Sequence, residues 1–377
     1  MQTFDYIVVG AGLAGCLITW RLNQAGQTAI LIGDTQLPNA SESASGIINP
    51  VTGRWMTKSW KFDTLRPHAL ATYHELEQRF AVKLFHPVPF FRYCQNSVDK
   101  KRVVKRMRNP RYANVLGEYV PAGEGPEVFN DTHGSFYVKQ TAYVDLPLLL
   151  QTLRKHFLER ALFRDISFVY DRLNKQDKHW RYQDLRANHV IFCEGTGMRA
   201  NPWFNWLPLT PAKGETLTIT CPTLNLPNAI YLHRKWLLSY GDNRFRLGAT
   251  FDSTDLSFDP TEAGADELLQ AARSFIGLKH TLEVKAHTCG LRPCTEDFRP
   301  FIGSHPIETG LHIFNGLGSK GTLQAPELVR RFLAYLLEKK TLDREIDIAR
   351  YIHLKPALSL KTQLDTTKCT KKREIIL

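Results

Sequence analysis

Residues 4–34 read FDYIVVGAGLAGCLITWRLNQAGQTAILIGD. The run FDYIVV (4–9) is apolar and closed by glycine, the pattern of a strand buried on both faces. LAGCLITWRLNQA (13–25) reads as a helix with Gly26 as its stop. TAILI (28–32) reads as a second buried strand. Strand, glycine loop, helix and strand in so short a span form a βαβ unit, which predicts parallel strands and a right-handed crossover. Gly10, Gly12 and Gly15 fit GxGxxG at the strand–helix junction, where the pattern has a mechanism. Gly10 permits the tight turn, Gly12 lets backbone approach a pyrophosphate, and Gly15 lets the helix pack on the strand. The free N–H groups at the helix start, at Leu13 and Ala14, then face the phosphates with the positive end of the helix dipole.

The acid that holds the adenosine ribose of such a ligand ordinarily ends the second strand, roughly eighteen residues after the last glycine. Gly33 stands there and Asp34 follows. Asp34 is therefore expected to reach the ribose from one position later, the alternative being that the contact is lost. No arginine follows at once, which argues against a 2′-phosphate and hence against NADP.

Working outward, a helix is expected after Asp63 or Thr64 and another near Asp145, with Pro147 in its first turn. Residues 85–140 read as short β-like pieces with turns. HVIFC (189–193) is again a buried strand before EGTG, and 214–251 reads as antiparallel β structure around GDN (241–243). A helix is expected at 261–276, a strand at 281–289 and a last helix at 322–338. This order predicts an α/β chain, α+β overall. Segments 1–75, 140–210 and 288–345 would form a Rossmann-like nucleotide-binding domain with a parallel sheet. Segments 76–139 and 211–287 would form an inserted, mainly antiparallel β substrate domain, and 346–377 a C-terminal extension.

The chain of 377 residues carries a formal charge of +12. Seven of the twelve residues from Lys100 to Arg111 are basic, and KCTKKR (368–373) forms a second cluster. Such runs steer acidic ligands or nucleic acid, but a solvated face is the simpler reading and nucleic acid is not favoured. The seven cysteines contain no CxxC and match no zinc module. Histidine spacing suggests no metal site, and no GxSxG nucleophile segment occurs. No signal peptide or membrane span is read, so the expected address is the cytoplasm.

Beyond the glycine loop, five further segments occur in order: SASGIINP (43–50), ANHVIFCEGTG (187–197), PAKGETLTI (211–219) with LGATFD (247–252), GLRPCTEDFRPFIG (290–303) and GLHIFNGLGSKGTLQAP (310–326). Together they resemble the D-amino-acid oxidase and glycine oxidase family of FAD-dependent oxidoreductases. The resemblance implies FAD, bound non-covalently, since neither Cys289 nor Cys294 falls on the register of a covalent link. It implies that Ser45, Gly46 and Asn49 run along the pyrophosphate and that Gly195 and Gly197 return to it. Gly318, Ser319, Lys320 and Gly321 would stabilise negative charge on the flavin. Arg292 would clamp a substrate carboxylate, with a salt bridge to Asp297 as the alternative. Trp236, where glycine oxidases carry an active-site tyrosine, and Tyr240 would wall the pocket, with ordinary ribbon packing as the alternative for either. Arg54 and Lys58, which follow the Ser/Gly segment, would approach substrate or the site of oxygen activation, the alternative being a solvated face.

The activity implied is oxidation of a C–N bond in a small amine or amino acid by hydride transfer to flavin N5. The products would be an imine and, on reoxidation by oxygen, hydrogen peroxide. Two alternatives stay open. One is a tRNA-modifying oxidase acting on a carboxymethylaminomethyl-type uridine, with Lys100–Arg111 holding phosphates. The other is an amine dehydrogenase that uses a quinone or protein acceptor. Trp236 and the segment INPVTGRWMTKSW (48–60) depart from the amino-acid oxidases, which leaves the substrate open.

Overall fold

The computed structural model describes residues 1–355; the basic cluster 368–373 and most of the expected C-terminal extension lie outside the described residues. The decisive stretch forms strand β1 (Gln2–Val9), helix α1 (Leu13–Gln24) and strand β2 (Ala29–Ile32). β1 lies between β2 and the strand Leu185–Phe192, parallel to both, with Val9 opposite Ile32 and Phe192. Two short parallel strands extend this core, Phe163–Arg164 beyond β2 and Leu311–Asn315 beyond Leu185–Phe192.

The run FDYIVV is apolar throughout because both faces of β1 are covered. Tyr6 and Val8 join the core beneath α1 and the helices Leu146–Leu158 and Gly321–Glu338. Ile7 and Val9 enter a second core with Trp180, Phe204 and Leu207 on the opposite face. This is the period-two alternation of a central strand. Asp145 caps its helix as expected, accepting from the Leu148 amide at 3.0 Å, and Thr261 accepts from that of Gly264 at 3.0 Å. The helix expected after Asp63 or Thr64 instead starts at Phe62, with Asp63 in its first turn and no side-chain cap.

The second sheet has eight strands. Its order is Glu283–Arg292, Ala212–Thr220, Arg244–Gly248, Trp236–Ser239, Ile230–Leu232, Phe90–Tyr93, Ser135–Val138 and Leu116–Val120. All neighbours are antiparallel except Ile230–Leu232 with Phe90–Tyr93. Segments far apart in sequence thus share one sheet, packed on the helix Glu262–Ile276. Two expected boundaries fall inside continuous elements. The helix Phe62–Phe80 runs through residue 75, and the strand Glu283–Arg292 runs through residue 288.

Residues 97–107 differ from the expectation of β pieces and turns. Ser97–Met107 is a helix, with the Asn96 side chain accepting from the Asp99 amide at 2.9 Å. The basic residues from Lys100 to Arg106 therefore lie on one helix that fully buries only Val103, while Arg108 and Arg111 lie beyond its end. No helix among the described residues is long and apolar enough to cross a membrane.

Candidate functional site

A cavity of about 1200 Å³ opens beyond the C-terminal ends of β1 and β2 and reaches the antiparallel sheet. Such crevices are where open α/β sheets bind ligands. Gly10, Gly12, Leu13 and Ala14 line it, while Gly15 lies behind them. A Cβ on Gly15 would sit on the Gly10 carbonyl oxygen, so the helix packs on the loop only because this residue has no side chain.

Gly12 is the N-cap of α1, without a side-chain cap and with no acid in the first turn. The Leu13 amide donates to Ser41 Oγ at 3.1 Å, whereas those of Ala14 and Gly15 find no acceptor among the described residues. Open amides at a helix start, on a cavity wall, fit an anion. Arg154, which sequence reasoning missed, braces the loop from the helix Leu146–Leu158. Its Nε and Nη2 donate to the Ala11 carbonyl at 3.0 and 2.7 Å, and its Nη1 pairs with Glu42.

Gly33 also lines the cavity, and its position explains the displaced acid. A Cβ there would lie 2.6 Å from the Ala11 nitrogen and 2.7 Å from the Ala11 Cβ. No carboxylate side chain fits at the end of β2, so the acid stands next door. Asp34 faces the cavity and accepts from Ser167 Oγ at 2.5 Å and from the Gln36 amide at 2.9 Å. The Ser167 hydroxyl holds its carboxyl below the usual carboxylate range.

Ser45, Gly46, Asn49, Gly195 and Gly197 complete this part of the wall. Between the strand Leu185–Phe192 and Gly195 stands Glu194, another residue sequence reasoning missed. Tyr170 Oη and Asn201 Nδ2 donate to its two oxygens at 2.7 and 2.8 Å. Burial pushes its carboxyl from 4.5 up to about 7.

The sign of the resulting pH dependence follows directly. The folded protein keeps Glu194 protonated up to about pH 7, whereas the unfolded chain releases that proton near 4.5. Its contribution is whole below 4.5 and is lost as pH rises through about 7. A shift of this size corresponds to at most about 3 kcal/mol, reduced by water in the cavity. Urea unfolding of the apoprotein is expected to show stability falling across that window, and Glu194→Gln to flatten the fall. An identical slope in the variant would remove this role.

Gly318, Ser319, Lys320 and Gly321 also line the cavity where the helix Gly321–Glu338 begins, again without a side-chain cap or an acid in its first turn. Lys320 touches the cavity's solvent, yet surrounding protein pushes its ammonium down to about 8. It has no carboxylate partner among the described residues. Two uncapped helix starts on one cavity fit a dinucleotide that carries negative charge at more than its phosphates.

Arg292 and Trp236 face the cavity from the antiparallel sheet. Arg292 makes no salt bridge to Asp297, which instead pairs with Arg350 at 2.8 Å. The Arg292 guanidinium donates to the carbonyls of Lys213 at 3.2 Å and Thr250 at 3.1 Å. It lies where a side chain on Gly214 would be, and desolvation lowers its pKa. It meets no carboxylate among the described residues.

Three substrate-side candidates, Arg54, Lys58 and Tyr240, do not line the cavity. Arg54 is exposed on a short hairpin and stacks on Trp55 at 4.9 Å. Lys58 is spent on Asp63 at 2.6 Å. Tyr240 packs edge-on against Tyr143, with centroids 5.6 Å apart. Among the described residues, no cluster of three or more His, Cys, Asp or Glu side chains could hold a metal.

The chain is 25% identical over 355 residues to the tRNA 5-methylaminomethyl-2-thiouridine biosynthesis bifunctional protein MnmC of Marinobacter nauticus, which covers 88% of this chain and 55% of that protein. It is 29% identical over 147 residues to glycine oxidase of Bacillus subtilis, covering 38% of this chain and 39% of that enzyme. The chain thus spans about half the length, or less, of these two relatives. Among solved structures, glycine oxidase from Geobacillus kaustophilus superposes with a TM-score of 0.78 at 20% identity, over 95% of this chain and 100% of that one. Iminodiacetate oxidase from Chelativorans sp. BNC1 does so at 0.76 and 20%, over 92% and 98%. These likenesses establish the fold. A family model described as FAD dependent oxidoreductase (DAO) matches residues 5–331, from the start of the glycine-loop unit to the middle of the last long helix, and the chain belongs to that family.

Proposed function

We propose that the protein oxidises the C–N bond of a small amine that also carries a carboxylate, an amino acid or a close analogue. FAD, when bound, supplies the two-electron acceptor, so that the amine leaves as an imine and dioxygen becomes hydrogen peroxide on reoxidation. The observation that carries the reading is Arg292. A half-buried guanidinium without an acid partner, facing the cavity, is costly unless a ligand carboxylate completes it. Arginine geometry suits a bidentate carboxylate pair. The names of two structural neighbours, glycine oxidase and iminodiacetate oxidase, also specify amines that bear carboxylates.

The remaining residues have separate tasks under this reading. Arg154 and the open amides of α1 hold the phosphates, and Asp34 holds the ribose. Ser45, Gly46, Asn49, Gly195 and Gly197 follow the rest of the dinucleotide. Lys320 and the uncapped start of Gly321–Glu338 counter negative charge at the far end. Trp236 covers the substrate and keeps water from it.

A second reading, an amine carried on RNA, has its own support. The basic helix Ser97–Met107 adjoins the hairpin that supplies Thr52 and Gly53 to the cavity wall. Arg102 donates to the Arg54 carbonyl at 2.9 Å, and its guanidinium lies 4.8 Å from the ring of Trp55, a residue 56% exposed. A polyanion could reach the cavity mouth along that helix.

Anaerobic titration of the FAD-loaded protein separates the two readings. Glycine, sarcosine or iminodiacetate is expected to bleach the flavin's visible absorbance, while methylamine, which has no carboxylate, leaves it unchanged. Bleaching by an RNA bearing carboxymethylaminomethyl uridine, and by no free amino acid, would transfer the assignment to the second reading. Bleaching by methylamine as readily as by glycine would remove the role of Arg292.

A further inference from the structure

Lys213 stands in the strand Ala212–Thr220 with its side chain 1% exposed. A lysine is rarely so buried unless its charge is matched. Its ammonium donates to Asp255 Oδ2 at 2.6 Å, to Ser257 Oγ at 3.0 Å and to the Asp259 carbonyl. An ammonium has three N–H donors, and all three are taken, so Lys213 is not a ligand contact.

Its backbone is occupied as well. The Lys213 amide donates to the Asp252 carbonyl at 2.6 Å, and the Asp252 amide returns a bond at 3.0 Å. The Lys213 carbonyl is also one of the two on which Arg292 rests. Two residues along the same strand face, Glu215 is 4% exposed. It accepts from the Thr261 amide and hydroxyl, each at 2.8 Å, where Thr261 caps the helix Glu262–Ile276.

Residues 252–260 are therefore held at the start by the Lys213 backbone, in the middle by its ammonium and at the end by Glu215. This loop presents Leu256 and Phe258 to the cavity. Just before it, the Phe251 ring lies 5.7 Å from the Arg292 guanidinium carbon. One strand residue so connects the shape of the pocket wall with the placement of the clamp.

We infer that Lys213 is a positioning residue that fixes the 252–260 loop as the specificity wall beside Arg292. This rests on the reading of Arg292 as the carboxylate clamp. If the loop loosens, Leu256 and Phe258 leave their positions, water reaches the clamp, and a carboxylate is held less tightly. The effect falls on substrate binding before it reaches turnover.

The test uses the FAD-loaded protein with Asp255→Asn, which keeps the size of the side chain and removes the charge opposite Lys213. Lys213→Met is the more severe companion. Acetate, read by the change it causes in flavin absorbance, serves as the carboxylate probe. Asp255→Asn is expected to weaken acetate about tenfold, the scale of one lost charge-assisted hydrogen bond. The KM of amino-acid substrates is expected to rise in parallel, with kcat changing far less. Hydrogen exchange is expected to quicken across 252–260 and not in the parallel sheet.

Faster exchange in the loop with unchanged acetate affinity and KM would overturn the inference, leaving Lys213 a purely structural anchor. Unchanged exchange would overturn it as well. If Lys213→Met does not fold, Asp255→Asn still decides. Arg292→Met in the same assay separates the two levels of the argument. If it binds acetate like the parent protein, the clamp itself is wrong. If it loses acetate while Asp255→Asn retains it fully, only the role of Lys213 falls.

Discussion

Arg292→Met is expected to lower kcat/KM for an amino-acid substrate by about a thousandfold, with FAD still bound in full. Removing one partner of a desolvated charge pair costs about 4 kcal/mol, which corresponds to that factor. Stability should behave differently. In the free protein Arg292 meets two backbone carbonyls and no acid, and desolvation already lowers its pKa. The Lys213 carbonyl keeps its bond from Asp252 when the guanidinium is gone. Methionine fills the same channel beneath Gly214 without a charge, so thermal unfolding of the apoprotein should move little, or upward. A large loss of activity without a loss of stability identifies a substrate contact. Equal losses of both would make Arg292 a structural brace and defeat the proposal.

The two halves of the site differ in how far they can be read from sequence. The cofactor half is written locally. Gly10, Gly12 and Gly15 lie within six residues; a side chain on Gly10 or Gly15 would strike backbone, while Gly12 leaves the cavity wall open. Even the shift from Gly33 to Asp34 is local chemistry, although its cause, contact with Ala11, becomes apparent only in three dimensions. Arg154 and Glu42 are not local. They brace Ala11 from 143 and 31 residues away, and nothing in LPLLLQTLRKHFL distinguishes that arginine from a surface residue.

On the substrate half, strand periodicity indicates the face but not the distance. Trp236 and Tyr240 are four residues apart and contribute to the same core face. Four residues of strand span about 13 Å, however, so Tyr240 reaches Tyr143 instead of the cavity. The helix Ser97–Met107 was hidden for another reason. Its apolar face is short, Val103 buried with Val104 and Met107 packed beside it, so the 3.6-residue period has few positions in which to show itself among the basic residues.

Gly12→Val and Gly15→Ala, three residues apart in one motif, are expected to fail in different ways. Gly12 has φ −80° and ψ −170°, extended backbone open to any residue. A Cβ there meets only Ser41 Oγ, at 3.1 Å. The fold should therefore accept valine, and the apoprotein should melt within a few degrees of the parent. Gly12 also lines the cavity beside the unpartnered amides of Ala14 and Gly15, so the added methyl groups stand where phosphate must approach. FAD affinity should fall by at least about a hundredfold, near 2.7 kcal/mol, the upper part of what overpacking costs.

Gly15→Ala adds one carbon, but places it on the Gly10 carbonyl oxygen, which belongs to the backbone and has no rotamer to change. Either the helix lifts from the strand or the turn opens, at a cost of about 3 kcal/mol or more to the apoprotein itself. Fluorescence titration with FAD and thermal unfolding without it measure both effects. A Gly12→Val protein that binds FAD like the parent would show that the phosphates do not lie against this helix start. A Gly15→Ala protein as stable as the parent would show that the helix has room to spare. The smaller side chain should do the greater damage to the fold, because packing is decided by what stands in front of each Cβ and not by its size.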